Sequence, residues 1–156
     1  MSQQEGLRRG DIPGIQLRRR AVLPVPQETG WLWLTSRERL QRWLASRADI
    51  GLQVGAIWNL EGDSLHGDVF RERLELLEVD RPQRLRATLE RMGSAWGVPT
   101  LLDVQLLQRS GGCEVSVLQS RFEQLPLSIG LTAWESYRRR WREALNRLEI
   151  AVGENS

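Results

Sequence analysis

The sequence contains no lysine: all 22 of its basic residues are arginine, set against 20 acids. Without a side-chain amine there is no Schiff-base chemistry, no lysine general base and no phosphate loop of the lysine type. Cysteine occurs once, at Cys113, so no internal disulfide is expected, which fits a reducing compartment. Histidine also occurs once, at His66, and the two residues together give no zinc-ligand spacing. No Gly-rich phosphate cradle is present, since Gly111-Gly112 sits where a hairpin turns. Trp31-Leu32-Trp33-Leu34 is far short of the roughly 20 apolar residues of a membrane helix. No apolar segment follows a basic stretch near the start, so we expect neither signal peptide nor membrane span, and a cytoplasmic protein.

What is present describes an ordinary folded domain. The 156 residues are 40% hydrophobic and 27% charged, enough to bury one core without staples. Net charge is only +2, and the pI of about 9.4 arises because arginine does not titrate. Nucleic-acid binding is therefore not expected. The conspicuous excess is in tryptophan, with seven along the chain.

Periodicity supplies the elements. Residues 1–13 read as a flexible arm, 14–152 as one domain and 153–156 as a tail. In a strand over 14–24, Ile15, Leu17, Ala21 and Leu23 share a face that Arg19 interrupts. Arg19 belongs either to a solvated edge or to an inward pairing with an acid or ligand. Pro26 opens a short helix ending near Thr35. Thr35 and Glu38 have the spacing of a capping box, and a second helix carries Leu40, Trp43 and Leu44 on one stripe. From residue 51 the period becomes two, with Leu52, Val54, Ala56, Trp58 and Leu60 alternating up to a turn at 61–64. The 65–79 strand loses its apolar parity near Phe70–Leu74, which predicts a bulge or bend there. Leu85, Ala87 and Leu89 mark a further strand, followed by a 93–99 loop holding Trp96. Two strands flank Ser110-Gly111-Gly112, a hairpin signal. Leu102, Val104 and Leu106 point inward from one, and Val115, Val117 and Gln119 from the other. A linker over 125–130 leads to a long helix with a second capping box, Thr132 and Glu135. Its stripe is Trp134, Tyr137, Trp141, Ala144, Leu145, Leu148 and Val152.

This order predicts an α+β fold. A curved antiparallel sheet of six or seven strands wraps a long C-terminal helix, with two short helices after the first strand. The order resembles the helix-grip fold of the START-like (SRPBCC) superfamily. Within it the chain is similar to the branch related to the activator of the ninety-kilodalton heat-shock protein ATPase. Pro26, Glu28, Trp31, Leu34, Thr35, Leu40 and Trp43 match that branch's opening pattern. Leu77 to Leu85, Gly111 to Phe122 and Trp134 to Val152 match three later segments, so the likeness spans about 14–152. The chain departs from the pattern at Gly30, where valine is usual, at Cys113, where threonine is usual, and at Arg121, which replaces the glycine before Phe122. The resemblance implies architecture more than activity, because the superfamily includes lipid and small-molecule binders, polyketide cyclases and chaperone regulators.

Chemistry-bearing candidates are few. His66 and Asp68 would share a strand face as an acid–base pair, yet no nucleophile accompanies them. Arg138-Arg139-Arg140-Trp141-Arg142 could clamp a nucleic-acid strand, but Trp141 belongs to the apolar stripe. The tryptophans carry more. Trp43, Trp58, Trp96, Trp134 and Trp141 come from different elements and can converge on the space between sheet and long helix, either filling a solid core or walling a pocket. With Leu102, Val104, Leu106 and Val117 they would wall a pocket, and Gln119 and Arg138 would orient a ligand in it. We therefore expect non-catalytic binding of a small apolar or amphipathic molecule, with no cofactor and no metal. The resemblance admits a chaperone-like protein partner or a second copy of the chain as an alternative, and a cyclase-like enzyme as another.

Overall fold

The computed structural model describes residues 14–63 and 69–154. The expected arm at 1–13, the residues of the expected turn and strand start at 64–68, and the end of the tail lie outside these residues. The elements are β1 (Leu17–Leu23), α1 (Gln27–Thr35), α2 (Arg37–Trp43), β2 (Arg47–Asp49), β3 (Ile57–Asp63), β4 (Val69–Asp80), β5 (Arg84–Arg91), β6 (Thr100–Arg109), β7 (Gly112–Ser120) and α3 (Leu127–Glu154). The seven strands form one antiparallel sheet in the order β1-β7-β6-β5-β4-β3-β2. Consecutive strands β1 and β2 thus occupy opposite edges, and α1–α2 make the connection between them. Sheet and helices bury a single apolar core, to which α3 contributes Tyr137, Trp141, Ala144, Leu145, Leu148 and Val152. This is the α+β helix-grip arrangement that the residue pattern predicts.

The β6–β7 hairpin holds the register that places the core. Gly111 has φ +81°, a left-handed conformation that glycine takes without the Cβ penalty. Leu102 then faces Gln119, Val104 faces Val117 and Leu106 faces Val115, as the alternation predicts.

Several local readings require correction. The 51–56 segment is not strand: Leu52 and Val54 are exposed, Gly55 has φ +90°, and Gly55 and Ala56 hydrogen-bond to the backbone of Leu76. The unforeseen β2 pairs with β3 instead. No parity slip occurs at Phe70–Leu74, where Phe70, Glu72, Leu74 and Leu76 all point inward. The irregularity lies between Leu76 and Glu78, leaving Leu77 exposed. A carboxylate on the buried face had imitated a bulge.

Neither capping box forms. Ser36, not Thr35, joins the two short helices: its N–H closes α1 on Leu32 and its carbonyl accepts from Leu40 to open α2. The Thr35 hydroxyl donates back to the Trp31 carbonyl at 2.7 Å, and that of Ser36 meets Glu38 at 3.1 Å. The long helix begins at Leu127, where the Pro126 carbonyl accepts from Ile129 and Gly130, so Thr132 lies inside the helix and not at its start.

Candidate functional site

The inner face of the sheet does not pack solidly against the helices. A cavity of about 40 Å³ remains between them. Leu34, Leu40, Trp43 and Leu44 cover it from α1, α2 and the residue that follows them. Trp58, Leu74, Ala87, Leu102, Val104 and Val117 form its floor on five adjacent strands, and Trp141 closes it from α3. Val104 belongs to a strand in the interior of the sheet, yet it keeps accessible surface while Val117 beside it has none. Val104 is thus the one residue of the cavity lining that is not fully buried.

The indoles are fixed rings here, with their polar edges turned away from the cavity. Trp43 Nε1 donates to the Trp33 carbonyl at 2.9 Å and Trp58 Nε1 to the Gly51 carbonyl at 2.6 Å. Trp141 Nε1 donates to Gln119 Oε1 at 2.8 Å, Gln119 Nε2 to Thr100 Oγ1 at 2.9 Å, and that hydroxyl to the Leu89 carbonyl at 2.8 Å. Every link of this buried relay is satisfied, which holds the Trp141 ring in one pose. A molecule in the cavity would meet ring faces and aliphatic groups, not N–H donors.

Among the described residues Glu72 is the one charged residue of the lining. Its carboxylate receives Arg140 Nε at 2.8 Å and Nη2 at 2.7 Å, and the Tyr137 hydroxyl at 2.6 Å. Arg140 Nη1 also donates to the Leu44 carbonyl at 3.2 Å, and its guanidinium lies 3.8 Å from the centre of the Phe70 ring. This cluster ties α3 to β4 and to the end of α2. Burial alone would push the Glu72 carboxyl up. The Arg140 charge, the bonds from Arg140 and Tyr137 and the nearby Arg91 outweigh burial and hold it below the usual carboxylate range. Burial, and then the Glu72 charge, push the Tyr137 hydroxyl well above its ordinary value, so Tyr137 acts as a donor throughout the accessible range.

Of the expected site residues, Trp43, Trp58, Leu102, Val104, Val117 and Trp141 surround the cavity. Five lie elsewhere. Trp96 packs edge-on against Tyr137, with ring centres 5.6 Å apart. Leu106 sits beneath Gly30. The Gln119 amide is spent on the relay. Trp134 donates from the flank of α3 to the Gln16 carbonyl at 2.9 Å, and Arg138 stacks over that indole at 4.6 Å. Among the described residues Arg19 pairs with no acid, its Nε reaching the Arg138 carbonyl at 3.5 Å. Buried Cys113 has its thiol pushed up by desolvation, which makes it a poor nucleophile. His66 and Asp68 lie outside the described residues. The sequence reading missed Glu72, Tyr137 and Arg140 as a unit; an acid at an inward strand position was the available signal.

A seven-stranded grip around a helix, with a small apolar cavity between them, defines the helix-grip class. A family model, activator of Hsp90 ATPase homolog 1-like protein, matches residues 24–153. The chain belongs to that family. A protein of Nitrosomonas europaea has the same fold, with TM-score 0.71 and 21% identity over 90% of this chain and 96% of its own. A Mycobacterium smegmatis protein gives 0.74 at 11% identity over 89% and 96%, respectively. An Hsp90 activator from Plasmodium falciparum gives 0.71 at 17% over 90% and 97%. A comparison with curated proteins found no match. At these identities the structural likeness speaks for the fold alone.

Proposed function

We propose that the chain binds one small apolar or amphipathic molecule over Val104, in the cavity between the sheet and its helical cover, without transforming it. The supporting observation is the accessible surface of Val104 at the floor of an otherwise close-packed core. Close packing leaves few such voids, and apolar ones stay dry and bind apolar guests. The resting cavity, about 40 Å³, is smaller than the roughly 150 Å³ apolar void that admits benzene. Entry of a ring-sized guest thus requires a tryptophan or the short α1–α2 cover to move, and binding selects that opened minority state. Glu72 would meet a hydrogen-bond donor on an amphipathic guest at the one polar point of the wall.

A panel of apolar probes, from benzene to naphthalene, tests this by thermal shift, with Val104→Phe as the blocked variant. The proposal expects stabilisation of the wild type that increases with probe concentration and disappears in Val104→Phe. Probes that leave both proteins unchanged would overturn it.

A second reading rests on the family and on the Hsp90 activator among its structural neighbours: regulation of a chaperone-like partner. The small size of the cavity favours it, because a cavity with little room for a guest leaves function to the surface. Pull-down against a purified Hsp90-type chaperone, with ATPase rate as the readout, tests that reading separately.

A further inference from the structure

The structure points to a second site, independent of the cavity, and we propose that it binds a phosphate group. It is a recess of about 30 Å³ between Phe70 on β4, Arg91 at the end of β5 and one flank of α3. That flank presents Ser136, Arg139, Arg140, Glu143 and Arg147, spaced three, four, seven and eleven residues along the helix from Ser136, so all face one way. Arg91 joins them because β5 places it opposite Glu72 on the inner face of the sheet.

Three observations converge on an anion. First, charge is unbalanced: Arg91, Arg139, Arg140 and Arg147 line the recess with Glu143, while Glu72 behind them answers Arg140. Among the described residues, two positive charges are left in excess. Second, the Nε atoms of Arg91 and Arg147 are shut off from solvent and, among the described residues, have no hydrogen-bond partner, a state that Arg39 and Arg86 Nε share outside the recess. Buried donors are seldom left this way, and each such atom calls for an acceptor. Third, two of the four guanidinium groups, those of Arg91 and Arg140, are held against aromatic rings. Arg91 lies 5.0 Å from the Tyr137 ring centre and 5.8 Å from that of Phe70, and Arg140 stacks on the other side of the cluster at 3.8 Å from Phe70. Planar donor forks fixed by stacking suit the oxygens of a phosphate, and Ser136 can add a hydroxyl. The volume is that of two or three water positions, by about 10–15 Å³ each. It therefore takes one phosphate group and leaves any organic remainder outside.

Isothermal calorimetry and thermal unfolding with inorganic phosphate, at ionic strength held constant with chloride, test the site. Glycerol phosphate in a parallel arm separates free phosphate from a phosphomonoester, the tighter of the two naming the source. Phosphate is expected to raise the unfolding midpoint with concentration beyond chloride. Arg91→Gln and Arg147→Gln should each weaken binding by about tenfold or more. Arg73→Gln, on exposed outer-face backbone of β4, should leave it unchanged. Arg91→Gln also removes a contact with the Tyr137 ring, so the decision rests on Arg147→Gln, at a half-buried helix position. Absence of heat and of any shift beyond chloride, or a phosphate effect undiminished in Arg147→Gln, would overturn the proposal.

Discussion

Single residues carry much of the specificity of this fold. Arg121 has φ +74°, a left-handed conformation in which a Cβ is strained, at the position where the family pattern has glycine. Arg121→Gly should therefore stabilise the protein by about 0.5–1 kcal/mol, the strain relieved exceeding the chain entropy added. Chemical denaturation, with unchanged slope and a raised midpoint, checks it. Glu72 is the opposite case, an ordinary residue type in a costly place. Glu72→Gln leaves the Arg140 guanidinium buried without a counter-charge and should cost about 3–5 kcal/mol. Replacing both partners, Glu72→Leu with Arg140→Met, should cost much less than the sum of the single changes. The pH dependence follows from the depressed Glu72 carboxyl. Its contribution is complete above the unfolded value near 4.3 and is lost as pH falls through the lower folded value. Unfolding free energies measured between pH 3 and 6 should fall more steeply in the wild type than in the double variant.

Elements show where the residue pattern was readable and where it was not. The β6–β7 hairpin was legible throughout, because Gly111 fixes the turn and strict alternation fixes every inward residue from Leu102 to Gln119. The helix pair was legible in outline, but its joint was misplaced by one residue. Thr35 and Ser36 are chemically alike, and only backbone bonding decides which ends one helix and starts the next. Strand β4 was misread because alternation treats a charge as solvent-facing. Glu72 is inward only because Arg140 and Tyr137, sixty-eight and sixty-five residues away, arrive to satisfy it. No local pattern reports that. Gly30 is explained by a partner on another element. A Cβ there would lie 2.8 Å from Cys113 Sγ and 3.1 Å from Leu106 Cδ2. The two departures from the family pattern, glycine on α1 and cysteine on β7, are thus one packing arrangement. Gly30→Val should destabilise by about 1–2 kcal/mol despite its better helix propensity. Cys113→Ala in the same chain should recover part of the loss, measurable as a coupling energy in a double-mutant cycle.

The whole molecule is a sheet that holds a helix and leaves a small void at the centre of its grip. Which tryptophans converge was partly readable from the sequence: Trp43, Trp58 and Trp141 meet at the cavity, while Trp96 and Trp134 are drawn aside by Tyr137 and by Gln16. Periodicity assigns a face, but it cannot say how far along an element the void lies. Nor could it tell that the Trp43, Trp58 and Trp141 N–H groups would be tied to backbone or amide oxygens. Trp31 and Trp33, the most conspicuous pair in the sequence, are both buried; Trp33 lies under Arg39 and Arg42, at 5.7 and 5.1 Å from its ring. Among the described residues no helix is long and apolar enough to cross a membrane.

The central claim is that the space over Val104 receives a guest. The most direct measurement is the indole N–H spectrum of the protein by NMR, titrated with benzene in the wild type and in Val104→Phe. The account predicts saturable shifts of the Trp43, Trp58 and Trp141 signals, small changes at Trp96 and Trp134, and no response in the blocked variant. Signals that do not move, or that move equally in both proteins, would contradict it.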